Sequence, residues 1–180
     1  MTTRLITPPA TEPVTLAEAK IQCRVDIDDD DTLIQGYIAA ARSQCEHIIG
    51  RSIMPQTWEL SLDAFSSLPI KLLYGPVTAI TSVDYVDTAG DDQTFVDFNL
   101  DEANGYLSAD NWPATYTTTG AVKITYEAGD ADAERSGINQ WILIAVATFY
   151  KNRESQAAGS TTELPRGFMA GLLDRYMAYD

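Results

Sequence analysis

The chain has 180 residues, 45% of them apolar and 21% charged, with a formal net charge of −14 at pH 7. That length suits one domain, with an insert at most, and a core that needs no staples. A field this acidic repels the phosphate backbone and argues against sequence-specific DNA binding, while keeping the protein soluble.

The first ten residues, "MTTRLITPPA", read as an extended, proline- and threonine-rich segment without a signal-peptide core. "PVTLAEAKIQCRV" opens a short helix, with Thr15 as N-cap and Glu18 three residues on, the spacing of a capping box. A second helix is predicted from about Asp29 to Ile49. Leu33, Ile34, Tyr37, Ile38, Ala41, Cys45, Ile48 and Ile49 make an apolar stripe along it, and Gly50 stands where a C′ glycine belongs.

The period then changes. "TWELSLDAF" alternates Trp58, Leu60 and Leu62 against polar neighbours, as a half-buried strand does. "PIKLLYG", "VTAITSVDYVD", "QTFVDFNL", "NGYLSAD" and "AVKITYEAG" follow as further short strands. "TAGDD" (88–92) is the composition of a hairpin turn, and Val122, Ile124 and Tyr126 fall on one face of the last strand. Six or seven such strands predict an antiparallel sandwich or a small barrel.

Helical period resumes near Ser136. "WILIAVATFY" (141–150) is apolar almost all round, as in a helix buried in a core or a subunit contact. It is half the length of a membrane span, which needs about 20 residues. "QAAGSTTELP" reads as a loop. "RGFMAGLLDRYM" reads as a last helix with Phe168, Met169, Leu172, Leu173, Tyr176 and Met177 on one face. The expected fold class is therefore α+β: terminal helices packed as a small bundle, with an inserted antiparallel sandwich or barrel-like region. The expected parts are an N-terminal helical part (1–52), a β-rich insert (53–132) and C-terminal helices (133–180) that pack with the first.

"VDIDDDDTLI" (25–34) raises the question of calcium. A helix–loop–helix calcium site needs oxygen ligands at positions 1, 3 and 5, glycine at 6 and glutamate at 12. A frame starting at Asp26 puts Asp31 at position 6 and Tyr37 at 12. A frame starting at Asp28 puts Leu33 and Ala39 there. Both fail. The aspartates instead suit a helix start, with Asp28 as N-cap and Asp29, Asp30 and Asp31 in the first turn, where the helix dipole favours carboxylates. The two cysteines, Cys23 and Cys45, lie about 24 Å apart along an antiparallel helix hairpin, too far for a disulfide, so two reduced thiols are expected.

No sequence motif for catalysis stands out. The only histidine, His47, has no serine, cysteine or carboxylate at catalytic spacing. No nucleophile elbow, phosphate-binding glycine loop, H-E-x-x-H or C-x-x-C occurs. Carboxylate pairs such as Asp91 and Asp92 sit in turn composition. Trp58 and Trp141 fit core patterns, and Trp112 falls in a loop, where a sugar-stacking surface is the alternative, but packing is the expected role of all three. No catalytic, cofactor-binding or metal-binding residue is assigned, and no cofactor is expected.

The order of segments is more informative than any single one. "PVTLAEAKIQCRVDIDDDDTLIQGYIAAARSQCEHIIGRSIMPQTWEL", "PVTAITSVDYVD", the strand end "YEAG", "WILIAVATFYKNRES" and "TELPRGFMAGLLDRY" together resemble the head–tail connector (adaptor, or head-completion) family of tailed bacteriophages and gene transfer agents. The resemblance runs through nearly the whole chain. It implies a structural, non-catalytic part of a virion or phage-like particle neck, made in the bacterial host cytoplasm. It implies a homo-oligomeric ring, usually dodecameric, under the portal protein, meeting the stopper or tail proteins, with no membrane contact. DNA would pass through such a ring without sequence-specific binding. The resemblance also places Arg175, Tyr176, Tyr179 and Asp180 near the portal and Asn152, Arg153 and Glu154 at a subunit contact. The chain departs from the pattern at its end, "RYMAYD", where the family often carries further basic residues. Two other readings stand beside this one: a protein- or carbohydrate-binding β module of a tail or decoration protein, and a hydrolase using carboxylates that meet only in the fold.

Overall fold

The chain divides into two compact units. One comprises residues 1–10 and 51–131, the other residues 11–50 and 132–180. The structure, a computed structural model, describes residues 1–133, 135–152 and 171–178.

The first unit is built on the alternation read in "AVKITYEAG". β8 (Val122–Ala128) turns Val122, Ile124, Tyr126 and Ala128 inward, all fully buried, and leaves Lys123 and Glu127 exposed. Around it assemble β1 (Thr2–Thr7), β2 (Gln56–Leu62), β4 (Val77–Val86) and β5 (Asp92–Thr94), in the antiparallel order β1-β2-β8-β4-β5. A second, three-stranded sheet has the order β3-β7-β6, from β3 (Ile70–Lys71), β7 (Tyr106–Ser108) and β6 (Asn99–Asp101). Residues from both sheets share one apolar cluster that includes Leu60, Ile70, Val83, Leu107 and Ile124. Each large side chain buried there contributes about 1.5–3 kcal/mol. Gly129 follows β8 at φ 107, where a Cβ would lie 2.1 Å from the Met54 carbonyl oxygen. Glycine is required at that turn by contact and by backbone angle alike.

Three expectations for this region change. The sheets are antiparallel, but they are open rather than closed into a barrel. "QTFVDFNL" is not one strand: Asp92–Thr94 ends in one sheet and Asn99–Asp101 begins in the other. "TTRLIT", read only as extended, pairs along β2 as an edge strand.

The second unit contains α1 (Leu16–Cys23), α2 (Asp31–Ile49) and α3 (Ser136–Lys151), each packed against the other two. Thr15 and Glu18 form the predicted capping box in both directions. Gly50 ends α2 at φ 68, with its N–H donating to the Glu46 carbonyl. The stripe on α2 buries Ile34, Ile38, Ala41, Cys45 and Ile49, whereas Leu33 and Ile48 remain exposed. Arg42 and Glu46 are buried in the same face, which the apolar pattern did not anticipate. α3 buries Ile138, Trp141, Ile142, Ala145 and Val146, while Leu143, Ile144 and Ala147 stay half-buried. Of the predicted last helix, Phe168 and Met169 lie outside the described residues. Leu173 is buried, and Asp174–Tyr176 form a 3₁₀ turn. Both cysteines are free thiols. Burial, and secondarily the Glu46 charge, push the Cys45 thiol up to about 12, which keeps it protonated and inert at neutral pH.

Candidate functional site

The aspartate run acts mostly through its side chains. α2 begins at Asp31 with Asp30 as N-cap, not Asp28, and the Asp30 carboxylate makes no capping bond. The Lys20 ammonium donates to Asp28 at 2.6 Å and to Asp31 at 2.7 Å, joining α1 to the start of α2. Those two carboxylates raise the Lys20 pKa, and Lys20 in turn lowers that of Asp28. Asp30 accepts from the Tyr150 hydroxyl near the end of α3. Among the described residues no group of three or more His, Cys, Asp or Glu side chains is placed to hold a metal ion. The acidic run thus ties three helices together.

A second polar cluster lies deeper. The Arg42 guanidinium donates from Nε to Glu12 at 2.8 Å and from Nη1 to Glu46 at 2.7 Å. The side chains of Arg42 and Glu46 are only 7% and 8% exposed. The sequence offered one signal for this pair, an Arg–Glu spacing of four within an apolar stripe.

The proposed contact residues fall in two places. Asn152 ends α3, exposed, with its backbone N–H and its side-chain amide each donating to the Thr148 carbonyl at 3.0 Å. Arg175 lies with its guanidinium carbon 5.0 Å from the centre of the Tyr176 ring. The Tyr176 hydroxyl accepts from the Gly137 N–H at 3.4 Å, at the beginning of α3. A Cβ on Gly137 would meet the Leu172 carbonyl oxygen at 2.6 Å and the Tyr176 ring at 3.0 Å, so glycine permits this close approach. Gly137 and Asn152 stand fifteen residues apart on one helix, about 22 Å by helical rise. The structure therefore brings Arg175 and Tyr176 together and keeps Asn152 apart from them. Tyr179, Asp180, Arg153 and Glu154 lie outside the described residues. His47 is exposed on α2.

On the first unit, Trp112 is half-buried and packed, as expected of it. It stacks on Phe65 at 4.4 Å and 7° between planes, with Phe95 tilted against it at 5.2 Å. One ring face is thus already occupied. Trp58 stacks on Tyr74 at 4.2 Å and donates its indole N–H to Ser52. A shallow, open depression of about 350 Å³ beside β5 includes Asp84, Asp92, Gln93 and Lys123. There Asp84 accepts from the Ser82 and Thr94 hydroxyls at 2.7 and 2.8 Å. Those bonds hold the carboxylate in the sheet.

The family model described as phage gp6-like head–tail connector protein matches residues 13–174. No curated protein matches the sequence. Among solved structures, a chain from the "neck of empty GTA particle computed with C6 symmetry" superposes with a TM-score of 0.79 at 21% identity. Chains from the "virion of native gene transfer agent (GTA) particle" and the "neck of native GTA particle computed with C12 symmetry" give 0.78 and 0.71, also at 21% identity. Each match covers 100% of this chain and 97% of the other. At that identity the likeness speaks to fold.

Proposed function

The chain belongs to the phage gp6-like head–tail connector family, and from that premise we propose that it forms a ring beneath a portal, extends the DNA channel and joins the capsid to stopper or tail proteins. The match over residues 13–174 carries this reading. The fold likeness to chains of particle necks with sixfold and twelvefold symmetry supports it. In this reading the three helices form the small bundle that meets the portal and the neighbouring copies. The antiparallel sheets form the inserted β-rich part. Arg175 and Tyr176, with Tyr179 and Asp180, contribute to the portal contact, and Asn152, with Arg153 and Glu154, contributes to a contact between copies.

Two features of the chain favour such a role. Half-buried Leu143 and Ile144 on α3, with exposed Leu33 and Ile48 on α2, leave apolar surface that a neighbouring copy can cover. The net charge of −14 repels DNA, so a channel lined by this chain would let the duplex pass without adhering. Its work would then be assembly without catalysis. The test is a mass measurement on the purified portal ring with and without this chain. Binding of about one copy per portal subunit supports the reading, and no binding at high concentration contradicts it.

A further inference from the structure

We propose that neighbouring copies of this chain also join edge to edge through their sheets, β1 of one copy pairing with β5 of the next. The five-stranded sheet is open, with β1 at one end of its strand order and β5 at the other. An open edge presents a row of backbone N–H and C=O groups, and proteins usually guard it with charge, proline or a bulge.

The two edges are guarded differently. β1 carries one charge, Arg4, which is directed to Glu59 of β2 at 2.9 Å. Beside it Leu5 and Ile6 are 40% and 43% exposed. The bulge between Leu5 and Thr7, and the prolines that follow, close off the far end of the strand. Residues 2–5 therefore remain as a short pairing edge. β5 offers a similar length, Asp92–Thr94, exposed throughout and preceded by exposed Asp91.

Charge selects among the pairings. β5 against β5 places Asp91 and Asp92 of both copies in one short junction, and β1 against β1 places both Arg4 side chains in one, directly opposite in some registers. Like charges across strands destabilise a pair. β1 against β5 sets Arg4, whose side chain is 67% exposed, near the aspartates. Symmetry points the same way. Joining two different edges is a heterologous contact, the kind that builds a ring when the rotation between copies closes, whereas either same-edge pairing stops at a dimer. The inference rests on the ring reading above and deepens it by naming the surfaces that meet.

Cysteine pairs in assembled particles test it. Thr2→Cys or Leu5→Cys is combined with Asp92→Cys, Gln93→Cys or Thr94→Cys, so that the register between copies is scanned. Particles are oxidised mildly and run without reductant. The expected result is a ladder of covalent oligomers in at least one double variant and in none of the single variants. Doubles that enter particles at the wild-type level yet give no ladder overturn the edge pairing and leave the connector reading standing. With the half-exposed native thiol removed by Cys23→Ser in every variant, a covalent dimer from Thr2→Cys or Leu5→Cys alone also overturns it, in favour of β1 meeting β1. Absence of the wild-type chain from particles overturns both readings. If the doubles fail to assemble, hydrogen exchange on the wild-type chain decides. Protection of the amides of residues 2–5 and 92–94 in particles, relative to the free chain, supports the pairing, and unchanged exchange overturns it.

Discussion

The hydroxyl of Tyr150 donates to the carboxylate of Asp30 across 120 residues of sequence, fastening the last turn of α3 to the N-cap of α2. A hydrogen bond to a charged acceptor contributes about 1.5–3 kcal/mol. Tyr150→Phe keeps the ring and removes the donor. Urea unfolding of the variant should show a loss of that size at an unchanged m-value. A loss below a few tenths of a kcal/mol would mean the bond adds nothing to the helical unit.

The buried Arg42 holds two carboxylates, Glu12 and Glu46. Arg42→Ala leaves Glu46 buried without its guanidinium, a change that costs about 3–5 kcal/mol. Replacing the pair together, Arg42→Met with Glu46→Leu, removes both buried charges and should restore most of the loss. The comparison is by denaturant midpoint. Equal damage from the single and the double variant would show that packing, not charge, governs the position.

Glycines on two helices should respond in opposite directions. At Gly36, on exposed α2 surface, an added Cβ meets nothing within 4 Å. Gly36→Ala should stabilise the free chain by about 0.5–1 kcal/mol. At Gly137 the added Cβ runs into the Leu172 carbonyl, and Gly137→Ala should cost about 1–3 kcal/mol by overpacking and release Tyr176. Thermal unfolding measures both. A Gly36→Ala chain that is stable alone but fails to enter particles would place that face of α2 at a contact.

Acid should loosen the β4–β5 turn. The Asp87 carboxylate accepts from the backbone N–H groups of Asp91 and Ala89 and from the Gln93 amide, and its pKa is lowered, chiefly by the Asp91 N–H. A carboxylate whose folded pKa is depressed contributes stability above its unfolded pKa, about 4, and loses it as pH falls through the folded value. The Tm difference between wild type and Asp87→Ala should be constant above pH 5 and shrink below about 4. A difference that grows on acidification would contradict the assignment.

Much of this fold was legible because its strongest elements carry clean periods. The α2 stripe through Ile34, Ile38, Ala41, Cys45 and Ile49 and the β8 alternation of Val122, Ile124 and Tyr126 both face cores, so burial writes their pattern. β1 escaped because an edge strand has little buried on either face, and "TTRLIT" therefore lacks alternation. "QTFVDFNL" misled because Phe95 and Phe98 both pack on the core cluster while the backbone between them leaves one sheet for the other. Four consecutive aspartates offer a helix start in several registers. Asp28 and Asp31 pair with Lys20, eight and eleven residues away, and Asp30 stands at the N-cap position with its carboxylate on the Tyr150 hydroxyl, partners that the local pattern does not encode. At the candidate site, Arg175 and Tyr176 were named through family resemblance. The docking of Tyr176 on Gly137 depends on a contact between residues 39 apart, which no local pattern encodes.

The most direct test of the connector role is electron microscopy of particles from cells that make every particle component except this chain. The account predicts DNA-filled or emptied heads that carry a portal and no attached tail, with tailed particles restored when the chain is supplied. Complete, tailed particles formed without the chain would contradict it.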